Sequence, residues 1–367
     1  MPDKARIRSE AQRIFAALCE SGAAPVEADI LQPADTLLDL SGEDIRARAY
    51  VTADPLRGEM MLRPDFTVPV VQMHMQDGAE PARYTYMGEV FRRQERPGPR
   101  VSEYLQVGYE VFDGADPAGA DADVFVRISR LLAPLGLRAV TGDMGILGDA
   151  VRGLSTSSRR KAALLRHVWR PARFRTLLDR FGGRVPPRPE RLDMLERLRA
   201  DAPEALIAAA GPLIGKRDAQ EIAARCAALL EDAAEPPIPA DEVAVIERIL
   251  ALRSRAPEAL DALSEMARQM PALRPSQGRL AARLHALENR GVDPAALAFE
   301  AAYGRTTMEY YDGFVFGLLA PDRPDLPPVA TGGRYDALTA RLGQGRSIPA
   351  VGGVVRPGLV AMLGGAG

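Results

Sequence analysis

From residue 102 to 112 the chain reads SEYLQVGYEVF, and its alternate positions separate into two rows. Leu105, Val107, Tyr109 and Val111 form an apolar row, as expected of a strand face packed on a core. Tyr104, Gln106, Gly108, Glu110 and Phe112 form the other, which sets an amide, a gap and a carboxylate between aromatics. The preceding YTYMGEVF has the same period, so the two segments predict a hairpin with FRRQERPGPR at its tip. Upstream, residues 4–20 predict a helix with Ile7, Ile14, Phe15 and Leu18 on one face. Short strands follow in ADILQPADTLL, ARAYVTAD and RGEMMLRP, then the hairpin, a helix around residues 119–135, and a strand in LRAVTGD.

Beyond residue 150 the period changes from two to that of a helix, over an Ala-, Leu- and Arg-rich zone punctuated by GGRVPPRPER and EPPIPADEV. Val243, Ile246, Ile249 and Leu250 make one stripe there, and the two APEAL segments at 202–206 and 256–260 read as helix starts with proline in the first turn. Strand texture returns after residue 297 in EYYDGFVFGLL, TGGRYDAL and PAVGGVV. The expected organisation is therefore one mixed sheet, formed by residues 1–149 and 298–367 and interrupted by a helical insertion at 150–297.

Composition changes this picture little. The chain has 367 residues, 47% hydrophobic and 26% charged, with a net charge of −2. That balance gives no global drive toward nucleic acid or membrane, although a local basic face stays compatible with an RNA partner. Cys19 and Cys226 lie far apart without a CxxC partner, and His74, His167 and His285 lack metal-ligand spacing. No apolar leader or membrane-length apolar run is present. The expectation is a cytoplasmic protein without metal or cofactor.

Several constellations could carry chemistry. Glycine inside a strand lets a ligand approach the backbone, and a carboxylate on such a floor needs a partner; the same row also fits the solvated outer face of a hairpin. Arg92, Arg93, Arg96 and Arg100 at the hairpin tip suit phosphate or carboxylate, or a solvated turn. Asp65 and Thr67 in MLRPDFTVPV stand at a helix start, where such residues cap free N–H groups. TTMEYYDGFVFG predicts a strand with Glu309 and Tyr311 on one face, and TGGRYDAL sets paired glycines before Arg334, Tyr335 and Asp336.

Taken in order, LRPDFT, FRRQ, EYLQVGYEVF, EYYDGFVF, GGRYDAL and PAVGG resemble the catalytic core of histidyl-tRNA synthetase, a class II aminoacyl-tRNA synthetase, over residues 8–145 and 300–362. The resemblance implies an α+β fold, an antiparallel sheet flanked by helices, and a dimer formed through the region around Pro33. It also implies an amino-acid pocket. Asp65, Thr67 and Gln106 would hold a histidine ammonium, Glu110 and Tyr311 would bracket the imidazole, and Arg92 would match the arginine that touches the carboxylate and α-phosphate.

The departures from that pattern concern adenylation. Thr306 stands where the synthetases carry the arginine that stabilises the adenylation transition state, with Arg305 adjacent. Gln94 replaces a glutamate that contacts ATP. Leu359 replaces the arginine that stacks on adenine, with Arg356 about a helical turn too early. Little chain remains for an anticodon-binding domain. Loss of one positioned charge stabiliser typically costs about a hundred- to a thousand-fold in rate.

A kept pocket with lost activation groups is similar to the regulatory subunits of ATP phosphoribosyltransferase, the synthetase paralogues of histidine biosynthesis. That resemblance implies no catalysis by this chain. Its partner would be a short-form catalytic subunit in a hetero-octamer, histidine would be its effector, and tRNA would not be a ligand. An active, compact adenylating enzyme is the alternative. Further readings are a paralogue that transfers an amino acid to another acceptor and a binding protein with no transferase partner.

Overall fold

The computed structural model describes residues 3–34, 49–94, 101–305 and 310–364. In chain order the elements are α1 (Lys4–Glu20), β1 (Ala24–Pro25), β2 (Leu31–Pro33), β3 (Val51–Asp54), β4 (Gly58–Leu62), α2 (Thr67–Asp77), β5 (Ala82–Phe91), β6 (Glu103–Phe112), α3 (Pro117–Leu131), β7 (Arg138–Asp143) and α4 (Met144–Gly153). Then come α5 (Ser158–Arg166), α6 (Pro171–Phe181), α7 (Pro189–Ala200), α8 (Pro203–Ala209), α9 (Ala219–Ala234) and α10 (Ala240–Ala251). The chain ends with β8 (Arg253–Arg255), α11 (Ala256–Gln269), α12 (Arg274–Glu288), β9 (Ala298–Glu300), β10 (Phe314–Leu319), β11 (Ala330–Arg334), α13 (Asp336–Leu342), β12 (Ala350–Val355) and α14 (Pro357–Leu363). Among the described residues no helix is long and apolar enough to cross a membrane.

Two compact units result, one from residues 1–149 and 249–367 and the other from 150–248. The first is built on a sheet ordered β1-β5-β6-β12-β11-β10-β7-β9-β8, with β2, β4 and β3 forming a small separate sheet. From β5 to β7 neighbouring strands are antiparallel. The mixed character comes from the flanks, where β1 joins β5 and β9 joins β7 in parallel.

One sheet face packs on α1, α3 and α14. The apolar row of β6 lies here, with Val107, Tyr109 and Val111 fully buried. The Tyr109 hydroxyl reaches the Asp123 carboxylate of α3 at 2.8 Å. Helix α1 starts where Asp3 accepts a hydrogen bond from the Arg6 N–H, and it buries Ala11, Ile14 and Leu18.

Residues 249–297, which the sequence pattern groups with the insertion, pack in the first unit. Strand β8 pairs with β9, and α12 runs against α3. The reason lies in charge as much as in apolar contact. Arg283 of α12 donates to Asp121 of α3 at 2.8 Å and to Asp143 of β7 at 2.9 Å, and all three side chains are at most 3% exposed. Arg334 of β11 donates to the other oxygen of Asp121 at 2.7 Å, to the Pro117 carbonyl and to Asp336. Burial alone would lower the pKa of Arg283, but the Asp121 and Asp143 carboxylates raise it above its ordinary value. The strand expected from TTMEYYDGFVFG is shorter than its pattern. Tyr310 sits in a turn and the strand starts at Phe314; just before it the Asp312 N–H still reaches the Arg334 carbonyl at 3.0 Å, while the Asp312 carboxylate accepts the Asp336 and Ala337 N–H groups at the start of α13.

The second unit is helical. Phe174, Leu178 and Phe181 of α6 and Val243, Val245 and Ile246 of α10 are buried there. Arg160 is buried too, and its guanidinium holds Asp232 at 2.7 Å and the Pro236 carbonyl at 2.8 Å.

Removing one partner of a buried ion network leaves an uncompensated charge, at a cost of about 3–5 kcal/mol. Arg283→Ala is expected to lower stability to denaturant by that amount in unfolding followed by circular dichroism. Loss of the exposed Arg323–Asp325 pair should leave the transition in place.

Candidate functional site

The opposite face of the sheet is the floor of the site. On β6 it carries Gln106, Gly108 and Glu110. Strand β5 sets Gly88, Tyr86 and Tyr84 beside them, and β12 sets Val354 beside Gly108 and Gly352 beside Glu110. A Cβ at Gly352 would lie 1.4 Å from Glu110 Oε2, and one at Gly108 would lie 2.0 Å from the Tyr86 ring. Bare backbone at these two points lets Glu110 and Tyr86 lie flat across the neighbouring strands.

Glu110 is 1% exposed and accepts three hydroxyl hydrogen bonds: Thr67 at 3.0 Å and Tyr86 at 2.9 Å on Oε1, and Tyr335 at 2.6 Å on Oε2. Burial raises its pKa from 4.5 to about 7 even though the Tyr335, Tyr86 and Thr67 hydroxyls pull it down. A carboxylate offers about four acceptor positions, so one remains for a further donor.

Thr67 opens α2 without capping it. The N-cap position is Phe66, which stacks on the Tyr86 ring at 4.3 Å, and the Thr67 hydroxyl serves Glu110 instead. Asp65 is buried, and its hydrogen bond from the Val68 N–H is long, at 3.5 Å. Burial raises its pKa, and the Arg92 charge opposes the shift. Arg92 is anchored through Nε to the Pro64 carbonyl at 2.8 Å.

Gln106 is 1% exposed, and neither end of its amide has a hydrogen-bond partner among the described residues. The solvated-face alternative for this row is excluded by these burials. Tyr311 comes from the turn before β10 and not from a strand. It lies against Gly333, 4.6 Å from the Tyr310 ring and 6.3 Å from the Tyr335 ring, and these tyrosines wall the site.

Asp65, Thr67, Arg92, Gln106, Glu110 and Tyr311 all fall in this one neighbourhood. Of the positions that depart from the synthetase pattern, Gln94 turns back to the Arg92 carbonyl at 3.0 Å and Leu359 is half-buried in α14. Thr306 lies outside the described residues, as do Glu309, Arg96 and Arg100. Sequence reasoning missed Tyr86 and Tyr335 as donors to Glu110. Tyr86 was within reach of a register argument, since a two-residue alternation puts it opposite Gly108. Nothing local to Tyr335 signals its contact with a residue 225 positions away.

A protein-family profile described as histidyl-tRNA synthetase matches residues 1–236 and 226–357, spanning the helical insertion as well as the core. The ATP phosphoribosyltransferase regulatory subunit of Brucella anthropi is 32% identical over 345 residues, covering 89% of each chain. That of Agrobacterium fabrum is 33% identical over 350 residues, again 89% of each. The chain belongs to this family.

Solved structures place the family fold among class II synthetases. An ATP phosphoribosyltransferase regulatory subunit/histidyl-tRNA synthetase from Bacillus halodurans superposes with a TM-score of 0.66 at 17% identity, over 99% of this chain and 81% of that one. A histidine–tRNA ligase subunit from Alicyclobacillus acidocaldarius gives 0.61 at 22% identity, over 100% and 95%.

The raised pKa of Glu110 has a testable sign. Between pH 4.5 and about 7 the unfolded chain releases this proton and the folded one keeps it, so stability falls as pH rises through that window. Glu110→Gln should remove on the order of 3 kcal/mol of that slope in denaturant unfolding measured from pH 4.5 to 8.

Proposed function

We propose that this chain is the non-catalytic regulatory subunit of ATP phosphoribosyltransferase, acting at the first step of histidine biosynthesis, and that the Glu110 pocket is its histidine sensor. The observation that carries the reading is the Gln106 amide, buried with both ends unpartnered among the described residues. Leaving a buried polar group unsatisfied costs about 1–3 kcal/mol, and such groups are retained where a ligand completes them. Beside it Asp65 is a buried acid suited to an ammonium, and Glu110 has room for one imidazole N–H.

The family's name implies a transferase that this chain would activate and inhibit. Histidine would act by binding one state of the assembly more tightly than another. A coupling of about 1–3 kcal/mol gives 5- to 150-fold control. Self-association as a dimer and assembly into a hetero-octamer with a short catalytic subunit belong to the same proposal. Gln94 and Leu359 supply no charge toward a nucleotide, which supports the absence of adenylation.

Calorimetric titration of histidine into the isolated chain tests the pocket. Because Glu110 is poised near neutrality, histidine binding at pH 6.5 should release a proton, visible as a heat that varies with the ionisation enthalpy of the buffer. Gln106→Leu and Glu110→Ala should each weaken binding by about tenfold or more. Unchanged affinity in both would exclude this pocket. Added to a short catalytic subunit, the chain should raise transferase activity and make it histidine-sensitive. Histidine-dependent pyrophosphate exchange with ATP by the purified chain would overturn the reading in favour of an adenylating enzyme.

A further inference from the structure

The site-facing row of β12 does not end at Val354. Gly352 lies beside Glu110 and Val354 beside Gly108, and the backbone is still extended at Arg356, with φ −103° and ψ 93°. By the two-residue alternation Arg356 takes the next place on that face, level with Gln106. Arg92 arrives at the same end from the other side. Its N–H pairs with the Ser102 carbonyl at 2.7 Å, continuing the hairpin ladder one step past Phe91 and Glu103. Tyr104, on the row of Gln106 and Glu110, stands near both guanidinium groups.

Two cations therefore converge at the open end of the row: Arg92 bonds the Pro64 carbonyl and lies near Asp65, and Arg356 bonds the Pro328 carbonyl and the Tyr104 hydroxyl. Burial holds the Arg356 guanidinium below its ordinary pKa, and the neighbouring Arg92 charge adds to this against the opposing effect of Tyr104. Tyr104 and Asp65 help hold Arg92 above its ordinary pKa, so it is the Arg356 guanidinium that an anion beside it would serve most.

We propose that Arg356 is a ligand-binding residue of this pocket, clamping with Arg92 the carboxylate of an α-amino acid whose ammonium lies at Asp65 and Gln106. The inference rests on the reading of the pocket as a histidine site and adds to it the residue that selects for a free carboxylate. Charge balance favours carboxylate over phosphate. Arg92 and Arg356 together match Asp65 and ionised Glu110, so a zwitterion with a neutral side chain leaves the set neutral. A phosphate ester would bring about two negative charges where one is wanted. Paired guanidinium forks are also suited to a planar carboxylate.

The test uses the full chain and two probes, histidine and histidinol, in which CH2OH replaces the carboxylate. Wild type should bind histidine at least about tenfold more tightly than histidinol. Arg356→Gln should abolish that preference by weakening histidine alone, and Arg356→Lys should retain part of it, since the charge stays. Thermal unfolding of each variant separates loss of the clamp from loss of the fold, because Arg356 also anchors the Pro328 carbonyl.

An Arg356→Gln chain that folds and keeps its preference for histidine overturns the clamp while leaving the histidine pocket standing. Equal weakening of both probes overturns it too, as that marks a structural role. If inorganic phosphate stabilises wild type through Arg356 while histidine affinity is unchanged in the variant, the carboxylate assignment fails. A wild-type chain that binds neither probe overturns the pocket reading and the clamp together.

Discussion

One buried carboxylate organises this molecule. Glu110 sits on the sheet floor with hydroxyls donated from three separate places: the start of α2, the middle of β5, and the junction of β11 with α13. It can lie there because Gly352 presents no side chain where its Oε2 rests. An ionised carboxylate without those donors would be expelled from such a position or held protonated. With them it is poised between the two states, at about 7. The position of Phe66 over Tyr86, the flat course of Tyr86 over Gly108 and the placing of Tyr335 beside Tyr311 all follow from directing three hydroxyls at one group.

The opposite face solves a different problem. Asp121, Asp143, Arg283 and Arg334 tie α3, α12, β7 and β11 together in a network with almost no exposed surface. Arg334 and Tyr335 are consecutive, so the residue that closes this network precedes the one that donates to Glu110. Alternation along the chain sends the first to the helix side and the second to the site. The ion network thereby fixes the height of the Tyr335 hydroxyl. The Asp312 carboxylate fixes the next turn by receiving the Asp336 and Ala337 N–H groups.

Much of this was legible in the sequence, and the limits have physical causes. The two rows of residues 104–112 were readable because strand alternation is local, and Gln106 and Glu110 stood out because polar groups there break the pattern. Helix starts at Pro203 and Pro257 were readable for the same reason, since proline acts on its own turn. What could not be read is anything settled by contact at a distance. Arg283 looks like one more surface arginine of an Ala-rich helix until Asp121 and Asp143 are found around it. Residues 249–297 share the texture of the insertion and yet pack with the sheet, because texture reports helicity and not the partner of the helix. Arg356 was set aside for lying too early in its helix. Its place depends on strand register with Gln106, which only the folded sheet reveals.

On the proposed reading, the same chemistry explains how a small ligand could influence a partner. A donor N–H arriving at the one open acceptor position of Glu110 favours its ionised form. An ionised carboxylate is a stronger acceptor than a neutral acid, so the bonds from Thr67, Tyr86 and Tyr335 strengthen together when the ligand binds. Those bonds hold α2, β5 and the start of α13, elements that approach the site from different directions. Ligand energy is thus converted into tighter registration of three elements, with no motion of the sheet required. A modest strengthening at each is enough, because regulation on the scale of tens of fold needs only about 1–3 kcal/mol in total.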